Sequence, residues 1–203
     1  MEIKKLDFSL TLRDAVSIGV KNAPSIVVAV ALFLVTIWIP YINIGTYIAI
    51  TLLPTQLAKG EVINPLSIFD SKYRRYMGEF LITWGLMIFP LLIAFLFLYI
   101  PGIVLSLSWA LAFYFLIEKG KNPIQAIKAS NDATYGSKWT MFAVILLFAV
   151  AAMIVAGVFS AICGAINVGF ITFVVMFAVI VVIFSVGMAI NASIWKQLKD
   201  NVE

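Results

Sequence analysis

Long apolar stretches alternate with short polar segments along this chain of 203 residues. Three stretches contain no Asp, Glu, Lys or Arg, namely residues 22–58, 80–117 and 139–195. A helix needs about 20 apolar residues to cross the hydrocarbon core of a membrane. Each stretch is therefore long enough for two crossings, although the first two stretches only just suffice.

Helix-breaking residues near the middle divide each stretch in two. They lie at positions 40–45, 101–102 and 163–169, and proline and glycine commonly interrupt helices. The pattern predicts one all-α domain over residues 1–203, with six transmembrane helices arranged as three hairpins. The predicted helices are 23–39, 42–58, 79–100, 102–117, 138–164 and 169–195. An alternative for the short first hairpin is that it re-enters the membrane without crossing it.

The polar segment before each hairpin has the periodicity of an amphipathic helix. One face of the first segment contains Leu12, Ala15, Val16, Gly19 and Ala23. A stripe suited to a membrane surface runs along the second segment through Leu66, Phe69, Tyr73, Tyr76 and Met77. A face of small residues, suited to close docking on another helix, is formed in the third by Ala126, Ile127, Ser130, Ala133 and Thr134.

Two of these segments resemble each other in their spacing. An Asn-Pro pair at 64–65 precedes Gly78, and an Asn-Pro pair at 122–123 precedes Gly136 at the same interval. Proline suits the first turn of a helix and glycine suits its end. Two explanations remain open: a threefold repeat of one interfacial helix and one hairpin, or the ordinary composition of loops between hairpins.

Composition decides which class of protein these elements belong to. Hydrophobic residues make up 63% of the chain and charged residues 12%, against about 45–50% and about 25% in soluble domains. So few charges cannot cover a surface in water, which excludes a soluble enzyme and predicts an integral membrane protein. The absence of histidine and the single cysteine, Cys163, leave no histidine-based catalysis or metal site and no internal disulfide. We expect no cofactor.

The distribution of charge predicts the orientation of the helices. All 14 Lys and Arg residues lie outside the uncharged stretches, on one side of the three predicted hairpins. Short loops rich in Lys and Arg face the cytoplasm, so both termini are expected there and the protein is expected in the cytoplasmic membrane. The net charge of +4 follows from this topology and does not indicate nucleic acid as a partner.

Short motifs in the second half of the chain carry a family resemblance. They include an Ile-Pro-Gly-Ile turn at 100–103 and a spaced set after it, with the key positions Pro101, Gly102, Ala126, Ser130, Gly136 and Trp139. From about residue 56 onward, the chain resembles the bacterial integral-membrane family known as domain of unknown function 975. It is more distantly similar to the membrane domains found beside glycerophosphodiester phosphodiesterases. The resemblance implies a multi-helix fold in the cytoplasmic membrane and supplies no reaction. Gln125 departs from it, because the family usually has an acidic residue there.

The predicted helices contain no internal Asp, Glu, Lys, Arg or His, whereas membrane enzymes and transporters normally keep such groups for function. We therefore expect a protein that is not an enzyme. The first hypothesis is a scaffold, a partner subunit of another membrane protein, or a homo-oligomer that forms a passive pore. The alternative is a carrier or binder of phospholipid or another amphiphile at the cytoplasmic leaflet.

Two residue sets correspond to these hypotheses. Rows of small residues, which let helices approach closely, comprise Ala152, Ala156, Gly157, Ser160, Ala161, Gly164, Ser185 and Ala189. They predict packing of the third hairpin on itself, with a subunit interface as the alternative. Candidate lipid-headgroup ligands, each worth about 1 kcal/mol at an anionic surface, are Lys72, Arg74, Arg75, Lys128 and Lys138. Ordinary membrane topology explains the same cations. Interfacial anchoring is predicted for Trp38, Trp139 and Trp195.

Overall fold

The computed structural model describes residues 4–166 and 169–202, and every regular element within them is a helix. The α-helices are α1 (Phe8–Thr36), α2 (Ile42–Thr51), α3 (Leu53–Leu57), α4 (Ser71–Arg75), α5 (Met77–Phe97), α6 (Tyr99–Ser108), α7 (Ala112–Glu118), α8 (Pro123–Ala133), α9 (Lys138–Ile166) and α10 (Gly169–Leu198). A 3-10 helix covers Pro65–Phe69. Part of the predicted turn at 163–169 lies outside the described residues.

Within the described residues, five segments are long and apolar enough to cross a membrane, as expected of a helical membrane protein. They are Phe8–Thr36, Met77–Phe97, Tyr99–Glu118, Lys138–Ala165 and Gly169–Leu198. The second predicted span is instead split into α2, of 10 residues, and α3, of 5 residues. The division occurs at Leu52, two residues before a buried proline, Pro54, because proline cannot donate the hydrogen bond that would continue the helix.

The first and last helices pack together at their charged ends. A Cβ at Gly19 would lie only 2.7 Å from the Cα of Val186, so the backbones of α1 and α10 touch at this point. Gln197 Nε2 donates to Thr11 Oγ1 at 2.9 Å, and Lys196 Nζ lies 3.2 Å from Asp14 Oδ2. This contact joins the two ends of the chain, and it requires α1 to begin fifteen positions before the predicted span at 23.

The first polar segment is continuous with the membrane helix that follows it. Helix α1 runs through Pro24, and its buried face contains Thr11, Ala15, Gly19 and Ile26. A separate amphipathic helix before the first span is therefore wrong. Val16 lies on the exposed side, since the face that meets α10 is set by the small residues and not by the most apolar ones.

The second polar segment is also not one amphipathic helix. Asp70 is extended, with φ −55° and ψ 130°, and its carboxylate accepts a hydrogen bond from Lys72 N at 3.0 Å. This cap starts α4 anew after the 3-10 helix. As a result Tyr73 is buried while Leu66 is exposed, so the predicted stripe does not form a single face.

The tip of the first hairpin lies beside the start of α5. A Cβ at Gly45 in α2 would be 2.6 Å from Cγ of Arg74. The Tyr47 and Phe80 rings meet edge-on, with 5.9 Å between their centroids. Arg74 and Phe80, which the hairpin contacts, lie within six residues of Arg75 in the sequence. The tip of this hairpin is therefore close to charged residues.

The third polar segment forms α8 and docks where the fourth predicted span is broken. Residues 109–111 separate α6 from α7. Ser130 Oγ donates to the Ser108 carbonyl at 2.7 Å and accepts from Leu111 N at 3.0 Å. Non-helical backbone at membrane depth is tolerated when protein groups satisfy it. The predicted docking face of α8 is thus confirmed, and Ser130 completes the hydrogen bonding of the break.

The proposed repeat extends only to the start of each segment. Asn64 caps the 3-10 helix through Leu66 N, and Asn122 caps α8 through Gln125 N. Gly136 has a positive φ of 76° between α8 and α9, whereas Gly78 lies inside α5. The two segments therefore share a capping residue and differ in the structure that follows it.

The tryptophans divide into exposed and buried side chains. Trp38 and Trp139 are 87% and 76% exposed. Trp195 is buried, and its ring meets Phe115 and Tyr114 edge-on at 5.0 and 5.6 Å. The prediction of an interfacial anchor is therefore wrong for Trp195, because the last turns of α10 are buried inside the bundle.

Candidate functional site

An apolar groove lies between α6 and the start of α9. Its volume is about 450 Å³, which is within the range of about 300–1,000 Å³ typical of small-molecule sites. Its apolar walls are formed by Ile100, Ile103, Val104, Leu107 and Phe142. Its polar and aromatic end is formed by Tyr135, Gly136, Lys138 and Trp139. The groove therefore has an apolar body with one cationic end.

The turn between α8 and α9 positions the cationic end. Gly136 adopts a φ of 76°, which glycine tolerates without the strain that other residues incur. The chain reverses there, so Lys138 enters the first turn of α9 while Tyr135 and Trp139 remain exposed. Amphipathic aromatic rings of this kind favour the boundary between water and lipid.

Lys138 is held in place and keeps unused donors. Its Nζ donates to Asn131 Oδ1 at 2.9 Å, and a lysine ammonium has three donors. In the described part of the chain the ion pairs are Lys119–Asp200 and Lys196–Asp14. Lys138 therefore has no carboxylate partner there, and an anionic group at the mouth of the groove would meet an uncompensated positive charge.

The other four predicted headgroup ligands do not line this groove. Lys72 Nζ lies 4.8 Å from the centroid of the Tyr73 ring, and Arg74 Nη1 donates to the Phe69 carbonyl at 3.0 Å. The remaining two are exposed on other helices, namely Arg75 and Lys128. The five cations consequently do not form one site, and Lys138 is the member that combines charge with apolar walls.

The family-motif positions have distinct structural roles. Gly102 packs on the Phe95 ring, where a Cβ would approach to 2.6 Å, while Pro101 lies exposed in the first turn of α6. Ala126 is buried in α8, one turn before Ser130, which bonds the helix break. Gly136 and Trp139 line the groove. The motif thus supports the break, the α5–α6 turn and the end of the groove.

The small residues of the third hairpin do not pack it on itself as predicted. Apart from the neighbouring backbone of α9 itself, no atom of the described residues lies within 4 Å of a Cβ placed at Gly157 or Gly164. The rest of the α9 set is exposed or only partly buried, namely Ala152, Ala156, Ser160 and Ala161. Ser185 and Ala189 are buried in α10, on the stretch that packs against Gly19 of α1. At Ser185 the partner surface comes from α1, whereas α9 meets α10 through a large side chain, with a ring carbon of Phe148 3.2 Å from a Cβ placed at Gly187.

The described residues contain no group of three or more His, Cys, Asp or Glu side chains placed to hold a metal ion. Cys163 is a free, buried thiol. Sequence reasoning missed the groove walls on α6 and the role of Asn131. The apolar pattern of α6 is that of any membrane helix, so no local signal distinguishes the wall residues.

No family model, no curated protein and no solved structure matches the chain. The resemblance described above therefore stays a prediction.

Proposed function

We propose that this chain is a non-catalytic protein of the cytoplasmic membrane that binds a phospholipid of the cytoplasmic leaflet. The observation that carries the proposal is the apolar groove of about 450 Å³ with Lys138 at its end. An acyl chain would lie in the groove between α6 and α9, while the phosphate would contact the ammonium of Lys138. Phosphate groups pair with lysine through charge-assisted hydrogen bonds.

The orientation of the helices is part of the same proposal. The positive-inside rule places Lys138 and both termini at the cytoplasm. Helices α9 and α10 contain 29 and 30 residues, more than the about 20 required for a crossing. We propose that the α1–α2 hairpin is re-entrant, because Gly45 packs on Arg74 while a tip across the membrane would lie roughly 30 Å from the charged face.

Lipid retention by single-lysine variants tests the proposal. The protein is purified in mild detergent, and bound phospholipid is measured by native mass spectrometry. Lys138→Gln is expected to retain less lipid, whereas Lys128→Gln, an exposed lysine outside the groove, is expected to retain as much as the wild type. One headgroup cation is worth about 1 kcal/mol, which corresponds to an about fivefold weaker affinity for the lipid. Equal retention by both variants would refute a site at Lys138.

A second candidate function is self-association through α9, which is the scaffold or homo-oligomer hypothesis in its most specific form. The observation that favours it is the open space around Gly157 and Gly164. Small residues spaced by four are self-complementary between two copies of one helix. A second copy of this chain is therefore the proposed occupant.

Cross-linking in lipid nanodiscs distinguishes this candidate. Gly157→Leu is expected to reduce the dimer fraction, whereas Val158→Leu alters a neighbouring exposed position and is expected to leave it unchanged. A dimer fraction that is the same in both variants, or no dimer in the wild type, would contradict self-association through this face.

A further inference from the structure

A polar cleft lies between α3 and α4, apart from the groove described above. Its volume is about 320 Å³, and its lining includes Gln56, Lys59, Glu61, Ser67, Asp70 and Tyr73. It shares no lining residue with the α6–α9 groove. Lys72 also lines the cleft. The lining therefore includes two cations and two carboxylates, namely Lys59, Lys72, Glu61 and Asp70.

A chain of hydrogen bonds fixes the direction of one donor in the cleft. Ser67 Oγ donates to Gln56 Oε1 at 3.2 Å, because an amide oxygen can only accept. The amide nitrogen of Gln56 therefore faces Tyr73 and donates to its hydroxyl oxygen at 2.7 Å. The hydroxyl of Tyr73 acts as the acceptor in this bond, so its own proton is left to donate elsewhere.

That proton has no acceptor within the described part of the chain. Tyr73 is only 1% exposed, and buried polar groups are almost always hydrogen-bonded. Burial raises the pKa of Tyr73 to about 12, partly offset by the Gln56 hydrogen bond and reinforced by the carboxylates of Glu118 and Asp70. The hydroxyl therefore remains protonated near neutral pH and is available as a donor.

The charges around the hydroxyl are of both signs. Lys72 Nζ lies 4.8 Å from the centroid of the Tyr73 ring, and Lys59 is exposed at the rim. Neither lysine forms an ion pair among the described residues. Asp70 caps α4 through one oxygen, and Glu61 is exposed. The cleft is therefore complementary to a ligand that carries both an oxyanion and an ammonium group.

We propose that this cleft binds a zwitterion in which a phosphate accepts from the Tyr73 hydroxyl and the two lysines. Its primary ammonium donates to the carboxylates of Glu61 and Asp70. The chemistry is that of phosphoethanolamine, either free or as the headgroup of phosphatidylethanolamine. Lys is a common phosphate ligand, and a primary ammonium supplies three donors. This site is separate from the α6–α9 groove and does not depend on the function proposed for it.

Calorimetric titration of the full chain in detergent tests the chemistry. Free phosphoethanolamine is expected to bind at least tenfold more tightly than phosphocholine, whose trimethylated nitrogen has no N–H to donate. Tyr73→Phe removes only the hydroxyl and is expected to weaken binding about tenfold. Tyr76→Phe, which alters a tyrosine of the same segment outside the cleft, is expected to bind as the wild type does.

Nanodiscs separate the two sources of the ligand. Capture of phosphatidylethanolamine in preference to phosphatidylcholine, with no binding of the free compound, supports a lipid headgroup. Binding of free phosphoethanolamine supports a soluble ligand. Where Tyr73→Phe lowers the melting temperature, Lys72→Gln serves as the second variant, with the same tenfold expectation.

Three results would overturn the proposal. One is that neither free nor lipid-borne phosphoethanolamine binds. The second is that the choline analogues bind equally well. The third is that Tyr73→Phe and Lys72→Gln both bind as the wild type does, in which case water is the partner of the hydroxyl. A loss of lipid retention in Lys138→Gln affects none of these readings, so the failure of one site is distinguishable from the failure of the other.

Discussion

Replacement of Ser130 by alanine probes the break between α6 and α7 directly. The Ser130 hydroxyl donates to the Ser108 carbonyl at 2.7 Å and accepts from Leu111 N at 3.0 Å. Both Ser130 and Leu111 are fully buried. The variant removes one acceptor that the broken backbone needs and leaves the N–H of Leu111 without a partner.

The expected cost can be worked out from these two bonds. A buried donor left unpaired costs about 1–3 kcal/mol. The Ser108 carbonyl retains a second, longer contact with Thr134 Oγ1 at 3.5 Å, so the loss on that side is smaller. We therefore expect Ser130→Ala to lower the free energy of unfolding by about 2 kcal/mol, above the average of about 0.6 kcal/mol for hydrogen bonds between membrane helices.

Equilibrium unfolding in mixed detergent micelles, followed by circular dichroism, measures this difference. Ser106→Ala is the matched control, because Ser106 Oγ bonds only within its own helix, to the Ile103 carbonyl at 2.8 Å. That variant is expected to change stability by less than about 0.5 kcal/mol. If the two variants are equally stable, Ser130 does not support the break, and the explanation of its position fails.

Three further predictions use the same structure. Gly19→Ala places a Cβ 2.7 Å from Val186 Cα and is expected to destabilise the protein by about 1–3 kcal/mol. Gly157→Ala meets no atom of the described residues within 4 Å beyond the backbone of its own helix and is expected to leave the stability unchanged. Equilibrium unfolding of both variants measures the contrast, and equal losses of stability would contradict it. Asn43→Cys, in a variant lacking the native cysteine, is expected to resist an impermeant maleimide added outside cells, and labelling there would indicate a full crossing. The pKa of Tyr73 is raised from 10.0 to about 12, so the protonated hydroxyl contributes fully to the free energy of unfolding below pH 10, and this contribution is lost as the pH rises towards 12. Tyr73→Phe is therefore expected to lose less stability at alkaline pH than the wild type. Identical alkaline unfolding curves for the two proteins would count against this.

Local sequence signals suffice to predict those elements whose bounds depend on neighbouring residues alone. Helices α9 and α10 begin at the predicted positions 138 and 169 and extend two or three residues beyond their predicted ends. Their apolar run contains no proline and no charge. The capping box of α8, formed by Asn122 and Gln125, is similarly local. In these places each residue's preference agrees with the final structure.

The functional regions depend on partners that are distant in the chain. The positive charge of Lys138 and the turn at Gly136 are readable from the sequence, but the apolar walls come from α6. The five cations look equivalent along the chain, yet Arg74 bonds a carbonyl and Lys72 lies over an aromatic ring. The polar cleft with its unpaired Tyr73 donor had no sequence signal, because Tyr73 fits an amphipathic stripe equally well.

The sequence by itself determined the membrane class, the positions of α5, α9 and α10, and the confinement of charge to a few polar segments. These properties follow from transfer free energy, which depends on residue type and on runs of about 20 neighbours. Only the tertiary structure decided that α10 uses its small residues against α1, that α9 leaves its own unpaired, and that Ser130 completes a broken helix. Inside a membrane the hydrophobic effect does not favour one helix partner over another, because lipid tails are as apolar as the side chains. Close approach and polar satisfaction do so, and both require the positions of atoms far apart in the chain.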